Sequence, residues 1–188
     1  MPAFRDVIER YDGRVGRFTQ GRLIRRARVF DPNGICGALA LKWIRHKHER
    51  TNFLRAVRSE EGLDDLRYIA RLRRTERDYA KAYLEEYDLR QQYRHIWRGE
   101  VSINELTDMA TAGAGYYLVG LTDSGIGPAG QDISGHALAI DMFSCAFFDP
   151  NGGQAKFDDD DDLKKAFKFW FRAAYPDLRG RAFLERYL

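Results

Sequence analysis

The sequence predicts an α+β fold, because helical and strand-forming stretches are segregated along the chain instead of alternating. Three observations carry this. From Ile35 to Trp97 apolar residues recur at helical spacing in a heavily charged background. After Gly115 short runs rich in aromatic and branched residues take over, Tyr116–Thr122 foremost. The acidic run Asp158–Asp162 then leads into Leu163–Arg172, an aromatic-rich stretch that reads as a closing helix.

Residues 1–30 carry mixed charge with glycines at 13, 16 and 21, and read as an arm or short elements laid on the domain. Asp31-Pro-Asn-Gly34 is a turn signal. A helix follows from near Ile35, presenting Ile35, Leu39 and Trp43 beside Ala38 and Leu41. Lys42, Arg45, Lys47 and Arg50 gather at its far end, where cations complement the helix dipole. Between Ser59 and Trp97, Leu63, Leu66, Ile69 and Ala70, then Tyr79, Ala82 and Tyr83, mark helical faces. So long a stretch is expected to break once. His46, His48 and His95 fall in these charged stretches and read as solvated residues.

Strands are expected at 116–122, 136–140 and 145–149, with the glycine-rich loop Ser124–Gly135 after the first. Cys145 then lies inside a strand as a small buried hydrophobe. The five aspartates 158–162 suit a helix N-terminus, and the EF-hand loop pattern is missing. Residues 1–188 thus divide into an arm (1–30), a helical part (31–97), a sheet (116–157) and a C-terminal helical part (158–188) of a single domain.

The composition restricts function. With 44% hydrophobic residues in 188, the chain can build one core. Lys+Arg at 31 against Asp+Glu at 28 gives +3 with the charges interspersed, so no nucleic-acid partner is expected. No run reaches the roughly 18 apolar residues of a membrane span. Residues 1–10 lack the apolar core of a conventional secretory signal. Two cysteines without CxxC or paired Cys/His spacing imply neither a disulfide framework nor a zinc site, and no metal or cofactor is expected. Arg22–Arg28 holds four arginines and reads as a solvated edge, with membrane contact as its alternative.

Chemistry concentrates at three residues. Cys36 stands where a turn opens into a helix, a placement that lowers a thiol's pKa, and Gly37 leaves room for a substrate. His136 opens a strand and Asp149 closes the next. A hairpin centred between Met142 and Phe143 sets His136 directly opposite Asp149. Asp149 then holds one imidazole nitrogen while the other addresses Cys36, as in a nucleophile–base–orienter triad. On that face Leu138, Ile140, Cys145 and Phe147 are expected to pack on the Cys36 helix. A slip of one residue would turn Asp149 to the wrong face.

Gly34-Ile-Cys-Gly, Gly135-His-Ala-Leu-Ala-Ile and Phe147-Phe-Asp-Pro-Asn-Gly, with the aromatic helix ending Ala174-Tyr-Pro176, resemble the YopT-type and AvrPphB-type cysteine proteases. These are papain-like virulence effectors of bacteria, and the resemblance spans roughly residues 30–176. It implies a papain-like fold in which a central helix carrying the nucleophile packs on a small antiparallel sheet. It also implies Cys36 as nucleophile, His136 as general base and acid, and Asp149 as orienter. The implied activity is cleavage of a specific protein inside a target cell, by an effector or toxin delivered through a specialised secretion system. A cognate immunity protein or a chaperone is a further candidate partner. Papain-like enzymes often place Gln or Asn shortly before the nucleophile, to complete the oxyanion hole. Phe30 and Asp31 stand there in this chain, leaving Asn33 as the candidate donor. The same triad would serve deamidation, transglutamination or peptidoglycan amide cleavage, since all pass through one thioester. A non-enzymatic interaction domain that kept the fold is the remaining alternative.

Overall fold

A seven-stranded antiparallel sheet forms the middle of the protein, with helices on both faces. The structure is a computed structural model and describes residues 2–18, 20–27, 35–99, 101–122, 135–176 and 182–188. The chain opens with α1 (Phe4–Arg10), β1 (Arg14–Gly16) and α2 (Gln20–Ala27). The helices α3 (Cys36–His48), α4 (Phe53–Ala56), α5 (Glu60–Thr75) and α6 (Tyr79–Glu85) follow. β2 (Gln91–Trp97) and α7 (Ile103–Ala110) lead to β3 (Tyr116–Thr122), β4 (Gly135–Asp141), β5 (Ala146–Asp149) and β6 (Gly153–Lys156). α8 (Asp160–Ala174) and β7 (Ala182–Tyr187) close the chain. The strand order is β1-β6-β5-β4-β3-β7-β2.

The sheet is therefore larger than the three strands expected between 116 and 157. Gln91–Trp97, expected as helix, is an edge strand whose side chains alternate between half-buried and exposed. β7, in the stretch expected to be helical, lies between β3 and β2 and pairs with both. Neither strand carries an apolar run of its own. Their stability comes from partners distant in sequence, which local periodicity does not report. Glu185 of β7 is buried, and accepts from the Tyr187 hydroxyl at 2.6 Å while pairing with Arg94 Nε at 3.2 Å.

Where local signals exist, the elements follow them. Ser59 caps α5 by accepting the Gly62 N–H at 3.0 Å. Asp159 does the same for α8 with the Asp162 N–H at 2.8 Å, so the acidic run serves as a helix cap. α3 carries the expected apolar face, with Leu39, Leu41, Trp43 and Ile44 all fully buried. Its basic end is partly buried. Lys42 is 2% exposed and pairs with Asp65, which also takes Arg45 Nη1 at 3.1 Å and the Tyr83 hydroxyl at 3.0 Å. His46, expected to be solvated, is buried, with Nδ1 2.6 Å from Thr51 Oγ1. His95 is half-buried on β2, and His48 is exposed as expected.

Two expectations for the hairpin are corrected. Observed partners are Ala139↔Phe148, Ile140↔Phe147 and Asp141↔Ala146, two residues beyond the predicted register. The turn lies one residue further along than assumed, at 142–145, and Asp141 Oδ1 caps it by accepting the N–H groups of Phe143 (3.0 Å) and Ser144 (3.2 Å). Cys145 belongs to this turn and not to a strand, at φ 48°. It is half-buried, its Sγ lies 3.0 Å from Asp160 Oδ1, and burial with that carboxylate pushes the thiol up to about 11. A shift of two preserves side-chain facing, so His136 and Asp149 still share a face.

That face is not the one against α3. Ala137, Ala139, Ala146 and Phe148 pack with α3, whereas Leu138, Ile140 and Phe147 join α1, α7 and α8. With both faces buried, strand alternation cannot say which helix each will meet. The alanines are the side of β4 and β5 small enough for a helix to approach closely.

Candidate active site

α3 starts at Cys36, and its first turn meets the first residues of β4: Cys36 Sγ is 3.7 Å from the Gly135 carbonyl oxygen. The His136 imidazole and the Ala137 N–H both act on the thiol in favour of its thiolate. Tyr79 of α6 lies against Gly37, its hydroxyl 2.8 Å from where a Cβ would stand, so a larger residue after the cysteine would push that hydroxyl aside.

His136 comes from the opposite face of the same strand end. Its Nε2 is 2.9 Å from Asp149 Oδ1 and 2.8 Å from Tyr175 Oη. With Nε2 so engaged, Nδ1 is the nitrogen left for Cys36. Asp149 closes β5 and is fully buried. Its Oδ1 also accepts the Asn151 N–H at 2.8 Å, and its Oδ2 accepts Trp170 Nε1–H at 2.6 Å and the Tyr175 hydroxyl at 2.7 Å. A buried carboxylate with this many donors is held in one orientation and in its charged form.

The electrostatics follow. Burial alone would disfavour a Cys36 thiolate. The imidazole's hydrogen bond and charge, the Ala137 N–H and, more weakly, the Arg73 guanidinium outweigh it, and the thiol titrates below its ordinary value. Burial likewise opposes a charged His136, yet Asp149 and the Cys36 thiolate raise it to about 9. For Asp149, His136, Tyr175 and Trp170 overcome the burial that would raise it, and it stays below the usual carboxylate range. All three shifts run toward a thiolate–imidazolium pair backed by a carboxylate. Cys36 and His136 are 6% and 7% exposed, so that pair sits in a low-dielectric setting.

The three predicted residues are thus brought together, by diagonal placement across the hairpin and not by direct opposition. Asn33 and the glycine-rich loop 125–135, apart from Gly135, lie outside the described residues. Sequence reasoning missed Trp170, Tyr175 and the Asn151 N–H as parts of the site. A usable signal existed: buried Trp and Tyr need acceptors for their N–H and O–H, and Asp149 is a buried acceptor. Among the described residues no group of His, Cys, Asp and Glu could hold a metal ion. None of their helices is long and apolar enough to cross a membrane.

No protein-family model matches this sequence, and no curated protein matches it either. Solved structures do. The crystal structure of the Pseudomonas avirulence protein AvrPphB superposes with a TM-score of 0.59 at 16% identity, covering 83% of this chain and 92% of that one. The protein is a mixed α/β chain with an antiparallel sheet, similar in fold to AvrPphB.

Proposed function

We propose that this protein is a cysteine protease acting through Cys36, His136 and Asp149 on a protein substrate. The observation that carries the reading is the Cys36 thiol set against the start of β4, next to a His136 imidazole that is hydrogen-bonded to the buried Asp149 carboxylate. The fold likeness to AvrPphB, an avirulence protein, supports an effector role, and delivery into a target cell by a specialised secretion system is part of the same proposal.

The thiolate attacks a peptide carbonyl carbon, forming a C–S bond as the carbonyl π electrons move to oxygen. Backbone N–H groups of the first turn of α3 suit that oxyanion, with the Asn33 side chain as a second donor. His136 then gives its Nδ1 proton to the departing amine nitrogen as the C–N bond breaks. Water, deprotonated by the same nitrogen, cleaves the thioester and returns the thiol pair. Asp149 keeps the ring oriented and stabilises its positive charge throughout.

Alkylation of Cys36 by iodoacetamide across pH, read by peptide mass spectrometry, tests the pair. Fast modification persisting below about pH 6, and lost in His136→Ala, is expected. A rate rising only near the free-thiol pKa in both proteins would sink the reading. For a pair that passes, new substrate N-termini separate proteolysis from deamidation or transfer.

A further inference from the structure

We propose that Tyr175 is a positioning residue of this site, anchoring the His136 ring through both its hydroxyl and its aromatic face. The inference rests on the triad reading of Cys36, His136 and Asp149.

The phenol ring lies on the imidazole, with centroids 4.6 Å apart and planes 26° from parallel. Its hydroxyl reaches Asp149 Oδ2 at 2.7 Å and His136 Nε2 at 2.8 Å. A hydroxyl has one proton and two lone pairs. The proton goes to the carboxylate, the stronger acceptor, so a lone pair faces the Nε2–H. The imidazole N–H is then shared between Asp149 Oδ1 and Tyr175 Oη. That arrangement accepts only the ring with hydrogen on Nε2. The neutral tautomer with Nδ1 open toward Cys36, and the imidazolium, both satisfy it.

Tyr175 is itself fixed. Asn151 Nδ2 donates to its hydroxyl at 3.3 Å, and its ring meets Phe171 edge-on at 5.9 Å. Burial and the Asp149 charge raise its own pKa, so it remains a phenol while the pair titrates. Among the described residues, the titratable groups facing the imidazole are Cys36, Asp149 and Tyr175. The tyrosine supplies two things the carboxylate cannot: an acceptor above Oδ1, and a lid that keeps water off Nε2.

The test is ¹⁵N NMR of the His136 imidazole from about pH 5 to about pH 10, in the parent, Tyr175→Phe and Tyr175→Leu, with Cys36 alkylation run beside it. In Tyr175→Phe the stacked ring stays, and the imidazolium midpoint is expected to fall by about one pH unit, a tenfold change in the equilibrium. Tyr175→Leu also admits water, and its Nε2–H signal is expected to vanish through fast exchange. A merely structural tyrosine would lower the melting temperature in both variants and leave the Tyr175→Phe titration and tautomer as in the parent; that result overturns the proposal. If it comes with a parent thiolate that depends on His136, the triad reading survives. A shifted imidazole beside a thiol indifferent to His136→Ala would remove the triad reading and keep Tyr175 as the anchor of the His136–Asp149 pair.

Discussion

The Trp170 indole N–H donates to Asp149 Oδ2 at 2.6 Å, joining the last turns of α8 to the end of β5 deep under the sheet. The two residues are 21 apart in sequence, and the bond makes α8 part of the site through a buried contact. It also explains how a carboxylate with no exposed surface stays charged.

Replacing that donor tests its weight. Trp170→Phe keeps an aromatic ring in the core and removes the N–H, leaving Asp149 with one donor fewer. A loss of roughly 1–3 kcal/mol in unfolding free energy is expected from urea denaturation. The Asp149 contribution is present above the ordinary carboxyl pKa and disappears as pH falls through the lowered folded value. The deficit of Trp170→Phe should therefore narrow in acid. An equal deficit at every pH would place the effect in packing instead.

His46 provides a pH dependence independent of the active site. It is buried, its Nε2 has no hydrogen-bond partner among the described residues, and burial with the charges of Lys42 and Arg45 lowers its pKa to about 4. A base that resists protonation when folded but accepts it when unfolded makes the fold most stable above the ordinary histidine value near 6.5. Stability then declines as pH falls toward about 4. His46→Leu is expected to flatten this slope, comparing urea midpoints at about pH 7 and about pH 5. A slope unchanged by the substitution would assign the decline to other groups.

Gly120 marks a packing constraint at the centre of the sheet. It pairs with Phe183 of β7, and a Cβ there would come within 2.0 Å of that ring's Cε1. The phenylalanine lies over the bare backbone of β3, which costs the strand a side chain and returns an aromatic cross-strand contact. Gly120→Val should cost about 1–3 kcal/mol through overpacking. The further substitution Phe183→Ala should recover part of it in a double-mutant cycle, and strictly additive effects would contradict the contact.

Much of the site was legible in the sequence because its signals are local. Gly34-Ile-Cys-Gly before an apolar run places Cys36 at a helix start, which is where α3 begins. Strand alternation put His136 and Asp149 on one face, and it survived a register error of two because facing repeats every two residues. What failed were inferences that needed partners outside the element itself. His46 read as solvated because the residues that bury it, Thr51 and Phe53, belong to the loop and the short α4 that follow α3.

The sequence by itself determined which residues could do chemistry, and in what local setting: a cysteine opening a helix, a histidine opening a strand, an aspartate closing one. Capping rules and side-chain periodicity act over a few residues, so a single strand of text contains them. Only the tertiary structure decided that β2 and β7 complete the sheet, that the alanine face of β4 receives α3, and that α8 brings Trp170 and Tyr175 to Asp149. Those outcomes depend on which buried donor finds which buried acceptor once both faces of the sheet are covered, and that is a property of the assembled core.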